Sequence, residues 1–460
     1  MIIRTFLPLL ILCLISCKDT TKDISDIPFP CVDGMSNDVF PCDNIDMYAH
    51  VGLTELHATT NAGGVYVNDI WGWTDPETNK EYALVGLADG VTFVDVTDPA
   101  NPIVIGFLPE TSVSSKYKVP NYNRDAYAAC FVGIGEKGKA GMAKGSIWRD
   151  MKVYKDHMFV VSDAQAHGME VFDLTKLRQY SGTFITFSED ALYDKIANAH
   201  NILINEDSGF AYAVGSYVAD TCATAGLHII DIRNPKAPTF AGCYEDKTPP
   251  RLPNRAFKAG AYIHDAQCVI YSGPDTDYTG KEVCFSGAER SFVIADVTDK
   301  TAPTTISFAT HPDMQYSHQG WLTEDQKYFI LNDELDEYNL GRNTKTYVYN
   351  VIDLDNPTFV GYYEHDTFSI DHNLYVKGNY VYQSNYKSGL RVLKMDNIAK
   401  AKMSTVGFFD TYPSDNKGEE PASHINDDFF GTWSNYPFFK SGTIIVSDID
   451  QGLFILKARL

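Results

Sequence analysis

From Glu81 to Pro109 the chain reads EYALVGLADGVTFVDVTDPANPIVIGFLP: an apolar run, a glycine turn, a strand alternating apolar with polar positions, a Thr-Asp-Pro turn and a last apolar segment. Alternation with a period of two puts successive side chains on opposite faces of a strand. The same order returns as GLHIIDIRNPKAPTFAGCYED from Gly226, SFVIADVTDKTAPTTISFAT from Ser291 and TYVYNVIDLDNPTFVGYYEHD from Thr346. Looser copies start at Gly168 (GMEVFDLTKLRQYSGTFITF) and Gly389, and a truncated one, GLFILK, starts at Gly452. Two more strand-like segments precede each copy, most plainly in DHNLYVKGNYVYQSNYKSGLRVL from Asp371. Turns rich in Asp, Asn, Gly and Pro, with no useful helix period, predict antiparallel units of four strands. Seven such units make an all-β, seven-bladed β-propeller.

The seventh copy lacks an outer strand, while MYAHVGLTEL, Met47 to Leu56, supplies a strand before the first copy. If that N-terminal strand completes the last blade, the ring closes without an exposed edge. The 460 residues can then be one domain, although the length alone suggests several. Aromatic residues at 13% demand burial and exclude a disordered chain. All five tryptophans, Trp71, Trp73, Trp148, Trp321 and Trp433, fall in or beside inner strands, where packing between blades is expected. A net charge of −22 argues against nucleic acid, which requires clustered Lys and Arg.

The start, MIIRTFLPLLILCLISC, has an apolar run too short to span a bilayer and the layout of a secretory signal. Its Leu-Ile-Ser-Cys ending resembles a bacterial lipobox, which would make Cys17 a lipidated N-terminus and the lipid its membrane partner. The expected organisation is a signal peptide over 1–16, a lipidated tether over 17–30 and one propeller over 31–460, with an insertion at about 110–146. The expected location is the outer membrane, on its cell-surface side. In an exported chain the remaining cysteines are disulfide candidates. Spacing suggests Cys31 with Cys42, Cys222 with Cys243 and Cys268 with Cys284, and leaves Cys130 over. No Cys-x-x-Cys spacing of a zinc or redox site occurs.

With SFVIADVTD and LHIIDIRNP in view, the chain resembles bacterial LVIVD-repeat proteins. HNILINEDSGFAYAVG, HDAQCVIYSGPD, SHQGWLTEDQKYF and SDIDQGLF resemble segments of the choice-of-anchor B family, exported propellers that share a body and differ in their anchor. The resemblance spans roughly Cys31 to Leu456 and implies a surface location. It implies no activity and no catalytic residues.

Propeller geometry decides which residues share a face. His200, His264, His318 and His372 begin the innermost strands of four successive blades, each followed by a polar residue, Asn201, Asp265, Gln319 or Asn373. Asp69 and Asp150 are expected at that place in the first two blades, and His424 or Asp427 in the seventh. These starts surround the central channel. The side chains therefore either converge on its mouth as ligands for a divalent metal or a polar molecule, or clamp neighbouring blades through backbone bonds. His167, in a top loop, could join such a site or be a solvated loop residue. DELDEYNLGR, with Asp333, Glu334, Asp336 and Glu337, reads as a solvated acidic loop without EF-hand spacing, and GPDTDYTG as a turn. The chain has no G-x-S-x-G elbow, H-E-x-x-H, P-loop or dinucleotide fingerprint. Two functions remain: a surface binding or scaffold module for a protein or polysaccharide, or a metal-dependent hydrolase with a His/Asp site at the channel mouth.

Overall fold

Seven antiparallel sheets are arranged in a ring in the computed structural model, which describes residues 27–60, 64–111, 146–164, 166–216, 222, 225–246, 262–413 and 429–460. The inner strands are Val67–Thr74, Arg149–Tyr154, Asn201–Asn205, Asp265–Ile270, Ser317–Leu322, Leu374–Lys377 and Thr432–Tyr436, for blades one to seven. Each packs on the next, and the seventh packs on the first. The middle strands are buried at nearly every position because both faces of a blade are covered by its neighbours; Glu81–Leu87 and Gly90–Asp95 are buried throughout. Outer strands such as Thr358–Glu364 are half exposed. The aromatic residues fill the seams between blades, as where Trp73, Tyr82, Phe93 and Phe172 pack with Met151 and Met158 between blades one and two.

The ring closes as the truncated repeat requires. Ile45–Val51 pairs antiparallel with Gly452–Ala458, Met47 opposite Leu456 and Val51 opposite Leu453, and becomes the outer strand of blade seven. That pairing shifts register between Met47 and Ala49, and the pairing of third with fourth strand shifts likewise in five other blades, as at Ile229/Ile230 and Val348/Tyr349. Bulges of this kind increase twist, which lets flat repeats wrap a ring.

Two additions depart from the repeat. Ile185–Thr186, expected as the fourth strand of blade two, instead pairs in parallel with Gly106 and Phe107 on the outer edge of blade one. Ala191–Tyr193 takes the vacated place against Met169–Val171. The hairpin Met35–Ser36 and Phe40–Asp43 extends blade six, with Cys42 opposite Phe409. Cys31–Cys42, Cys222–Cys243 and Cys268–Cys284 are disulfides, the last directly cross-strand with Cα atoms 4.0 Å apart. Cys17, Cys130, His424 and Asp427, and the insertion between Thr111 and Ser146, lie outside the described residues. Among the described residues no helix is long and apolar enough to cross a membrane.

Candidate functional site at the channel mouth

The four histidines meet. Ring centroids are 4.5 Å apart for His200 and His264, 4.1 Å for His264 and His318, and 4.6 Å for His318 and His372, so the imidazoles form a continuous row around the mouth. Tyr316 packs on His264, Tyr386 and Trp433 on His372, and Trp148 on His200. The row is therefore held between aromatic side chains.

Glu334 reaches into this row. Its Oε2 lies 3.6 Å from His318 Nε2 and its Oε1 3.8 Å from His372 Nε2, and one ligand atom from each residue fits within 4.8 Å of the others. An ion bound at about 2.0–2.2 Å by imidazole and carboxylate needs donor atoms roughly 3.3 Å apart at a tetrahedral angle and about 4 Å apart when opposed. The observed separations fall in that range. His372 Nδ1 donates to the Trp433 carbonyl at 2.6 Å, which leaves its Nε2 as the lone pair facing Glu334. Tyr386 Oη donates to Glu334 Oε1 at 2.9 Å and orients the carboxylate. Burial pushes His372 down to about 3, against the opposing Trp433 bond, and holds His318 well below its usual value, helped by neighbouring imidazoles. Burial pushes Glu334 up to about 7. Neutral imidazoles beside a carboxylate are the donor set of zinc and related divalent metals.

Glu334 is the residue that sequence reasoning missed. The loop carrying it is not solvated: Asp333, Glu334, Asp336 and Glu337 are all buried, and Asp336–Leu340 forms a short helix behind the site. The available signal was the loop's position, on the top side of the blade carrying His318.

The expected place of Asp69 and Asp150 requires correction. Asp150 Oδ2 accepts from the backbone of Ile202, two residues after His200, just as Gln319 Oε1 accepts from Leu374, two after His372. Asp150 is thus the counterpart of the residue after each histidine, and Arg149 holds the histidine position. Asp69 likewise caps the backbone N–H of Ile70 as Asp265 caps that of Ala266. These residues form a second layer. There Lys152 lies 2.5 Å from Asp150 and 3.9 Å from Asp69 and sits over the Trp71 ring. Burial alone would lower the Lys152 ammonium, but Asp150, Asp69 and Asp265 outweigh it and hold it raised. Asp265 is itself pushed up to about 7 by burial.

Blade-to-blade clamping is largely the work of this second layer. Asn201 donates to the His264 carbonyl at 3.1 Å, Gln319 to that of Leu374 at 3.0 Å, and Asn373 to Ser434 Oγ at 3.1 Å. Beneath it Trp71 and Trp321 meet through Tyr375 and Phe438, so these two tryptophans plug the channel as well as pack between blades.

His167 is not a solvated loop residue. It is buried, its Nε2 lies 2.6 Å from Arg149 Nη1, and burial together with that guanidinium pushes it down to about 3. Arg149 is also buried, bridging the Glu110 carboxylate and the Leu87 carbonyl. His167 therefore belongs to a packed seam of blades one and two.

The fold defines a seven-bladed β-propeller, and within it residues 211–246 match the LVIVD repeat. A comparison with curated proteins gives no match. Among solved structures the chain is similar to hydrazine synthase of Kuenenia stuttgartiensis, with 13% identity over 88% of this chain and 98% of that one, TM-score 0.49. It is also similar to a protein from Lactobacillus plantarum, with 12% identity over 82% and 87% of the two chains, TM-score 0.44. At these identities the likeness concerns the fold alone.

Proposed function

We propose that this propeller is a metal-dependent hydrolase of the choice-of-anchor B type, lipid-anchored through Cys17 at the outer cell surface. A divalent metal would be held by His318, Glu334 and His372. The single observation that carries this reading is the convergence of two Nε2 atoms and one buried carboxylate at 3.6 and 3.8 Å. Three protein donors leave further coordination positions open, the arrangement in which a metal polarises a bound water or a substrate oxygen. The polar second layer supports the reading, because it supplies interblade bonds that the histidines would otherwise be needed for.

One observation favours a second reading. His372 also clamps blade six to blade seven through Trp433. On that reading the histidines are structural and the propeller is a binding or scaffold module for a protein or polysaccharide. Metal analysis of the purified protein separates the two. One equivalent of divalent metal, lost in His318→Ala and Glu334→Gln without unfolding, supports the hydrolase. Absence of metal, with collapse of thermal stability in both variants, supports the scaffold.

A further inference from the structure

The repeat makes the four histidines look equivalent, yet their second nitrogens are committed differently. His372 is tied to a backbone carbonyl. His200 Nδ1 instead lies 2.7 Å from Asp163 Oδ2, and Asp163 Oδ1 accepts from Asn198 Nδ2 at 3.1 Å. A carboxylate fixed by an amide and bonded to an imidazole is the arrangement that holds an acid–base histidine in one tautomer. With Nδ1–H committed to Asp163, Nε2 carries the lone pair. The His200 side chain is 11% exposed and that of Asp163 12%, against 7% for His372 and 1% for His318, so this pair is the more open end of the row.

Resting on the metal-centre reading above, we propose that Asn198–Asp163–His200 is the proton-transfer device of the site, serving the hydrolysis of an ester. In the step, a water oxygen forms a bond to the substrate's carbonyl carbon while its O–H bond breaks and the proton passes to His200 Nε2. Asp163 stabilises the imidazolium. The bond from carbon to the alcohol oxygen then breaks, and Nε2 returns the proton to that oxygen. Water and ester are the only reactants, and the products are an acid and an alcohol. His200 stands at the opposite end of the row from His372, with His264 and His318 between them. The titratable groups around it are Asp163, Asp265, His264, Glu334, His318 and His372.

Cobalt(II) is the probe for the test, since its visible absorption follows ionisation at the metal and needs no identified substrate. The purified chain is loaded with Co2+ and titrated from pH 5 to 9, beside His200→Gln, Asp163→Asn and His318→Gln. The expected result is one equivalent of Co2+ in the unsubstituted protein and in the His200 and Asp163 variants, with the spectral midpoint moved by at least half a pH unit in both. Loss of Co2+ from His200→Gln makes His200 a ligand and overturns the assignment. An unmoved midpoint with metal retained also overturns it, while leaving the metal centre standing. A protein that takes up no Co2+ overturns the metal centre itself, and the assignment with it. His200→Gln that melts more than 10 °C below Asp163→Asn assigns His200 a structural role instead.

Discussion

His372 donates from Nδ1 to the carbonyl oxygen of Trp433 at 2.6 Å, so one imidazole joins two blades and turns its other nitrogen toward Glu334. The two duties are separable by substitution. Asparagine places its amide N–H where Nδ1 stands and has nothing at the Nε2 position. His372→Asn is therefore expected to stay within about 1 kcal/mol of the parent stability, the net worth of one hydrogen bond, while losing metal. Denaturant melts and metal content of the same sample check this. A variant that unfolds, from a parent that holds no metal, would leave only the clamp.

Glu334 titrates at about 7 in the fold, against 4.5 for the ordinary carboxyl, because it is buried. The fold thus favours its protonated form. In metal-free protein the associated stability is complete below pH 4.5 and is lost as pH rises through 7. Glu334→Gln stays neutral, so its stability relative to the parent should rise over that window by up to about 3 kcal/mol. With metal present the order reverses, because glutamine cannot supply the carboxylate. Melts at pH 4.5 and 7.5, with and without chelator, measure both signs, and a difference independent of pH would be the contrary result.

Lys152 is the cation among Asp69, Asp150 and Asp265 in the second layer. Lys152→Met should cost about 3–5 kcal/mol, as does breaking a buried ion pair from one side. The loss should be larger at pH 8 than at pH 5, since acid protonates carboxyls that are already raised. Equal losses at the two pH values would mean that the lysine acts by packing alone.

The Cys268–Cys284 disulfide spans a sequence separation of 16 beside the site strand that follows His264. Replacing both cysteines with alanine should lower stability by about 3 kcal/mol through the freed unfolded chain. Because the strands remain paired by their backbones, metal content should not change. Metal loss from this variant would show that the bond positions His264 or its neighbours.

The blades were legible because Thr-Asp-Pro and Asn-Pro turns punctuate alternating strands at regular intervals, and the missing strand beside GLFILK pointed to Met47–Leu56. Short pieces without that alternation were not legible: Ile185–Thr186 crosses to blade one in a parallel pairing that no local pattern announces. The histidine ring was legible by repetition, but Asp69 and Asp150 were placed one layer too high, because Asn68 and Arg149 stand at the histidine position in blades one and two and no imidazole there marks the register. Glu334 stayed hidden because four carboxylates in five residues ordinarily mean solvent, and only tertiary packing buries them. His167 stayed hidden because its partner, Arg149, lies eighteen residues away.

Pairing Ile45–Val51 with Gly452–Ala458 joins chain segments some four hundred residues apart. Closing so long a loop costs roughly 5 kcal/mol of chain entropy, and no contact within the other six blades repays it early. Blade seven is thus expected to be the last to form and the first to open, and it meets His372 through the Trp433 carbonyl. Six finished blades would already hold His318, Glu334 and His372 and would lack only the Trp433 carbonyl that turns His372 toward them, so closing the ring sets the aim of the site and not its membership.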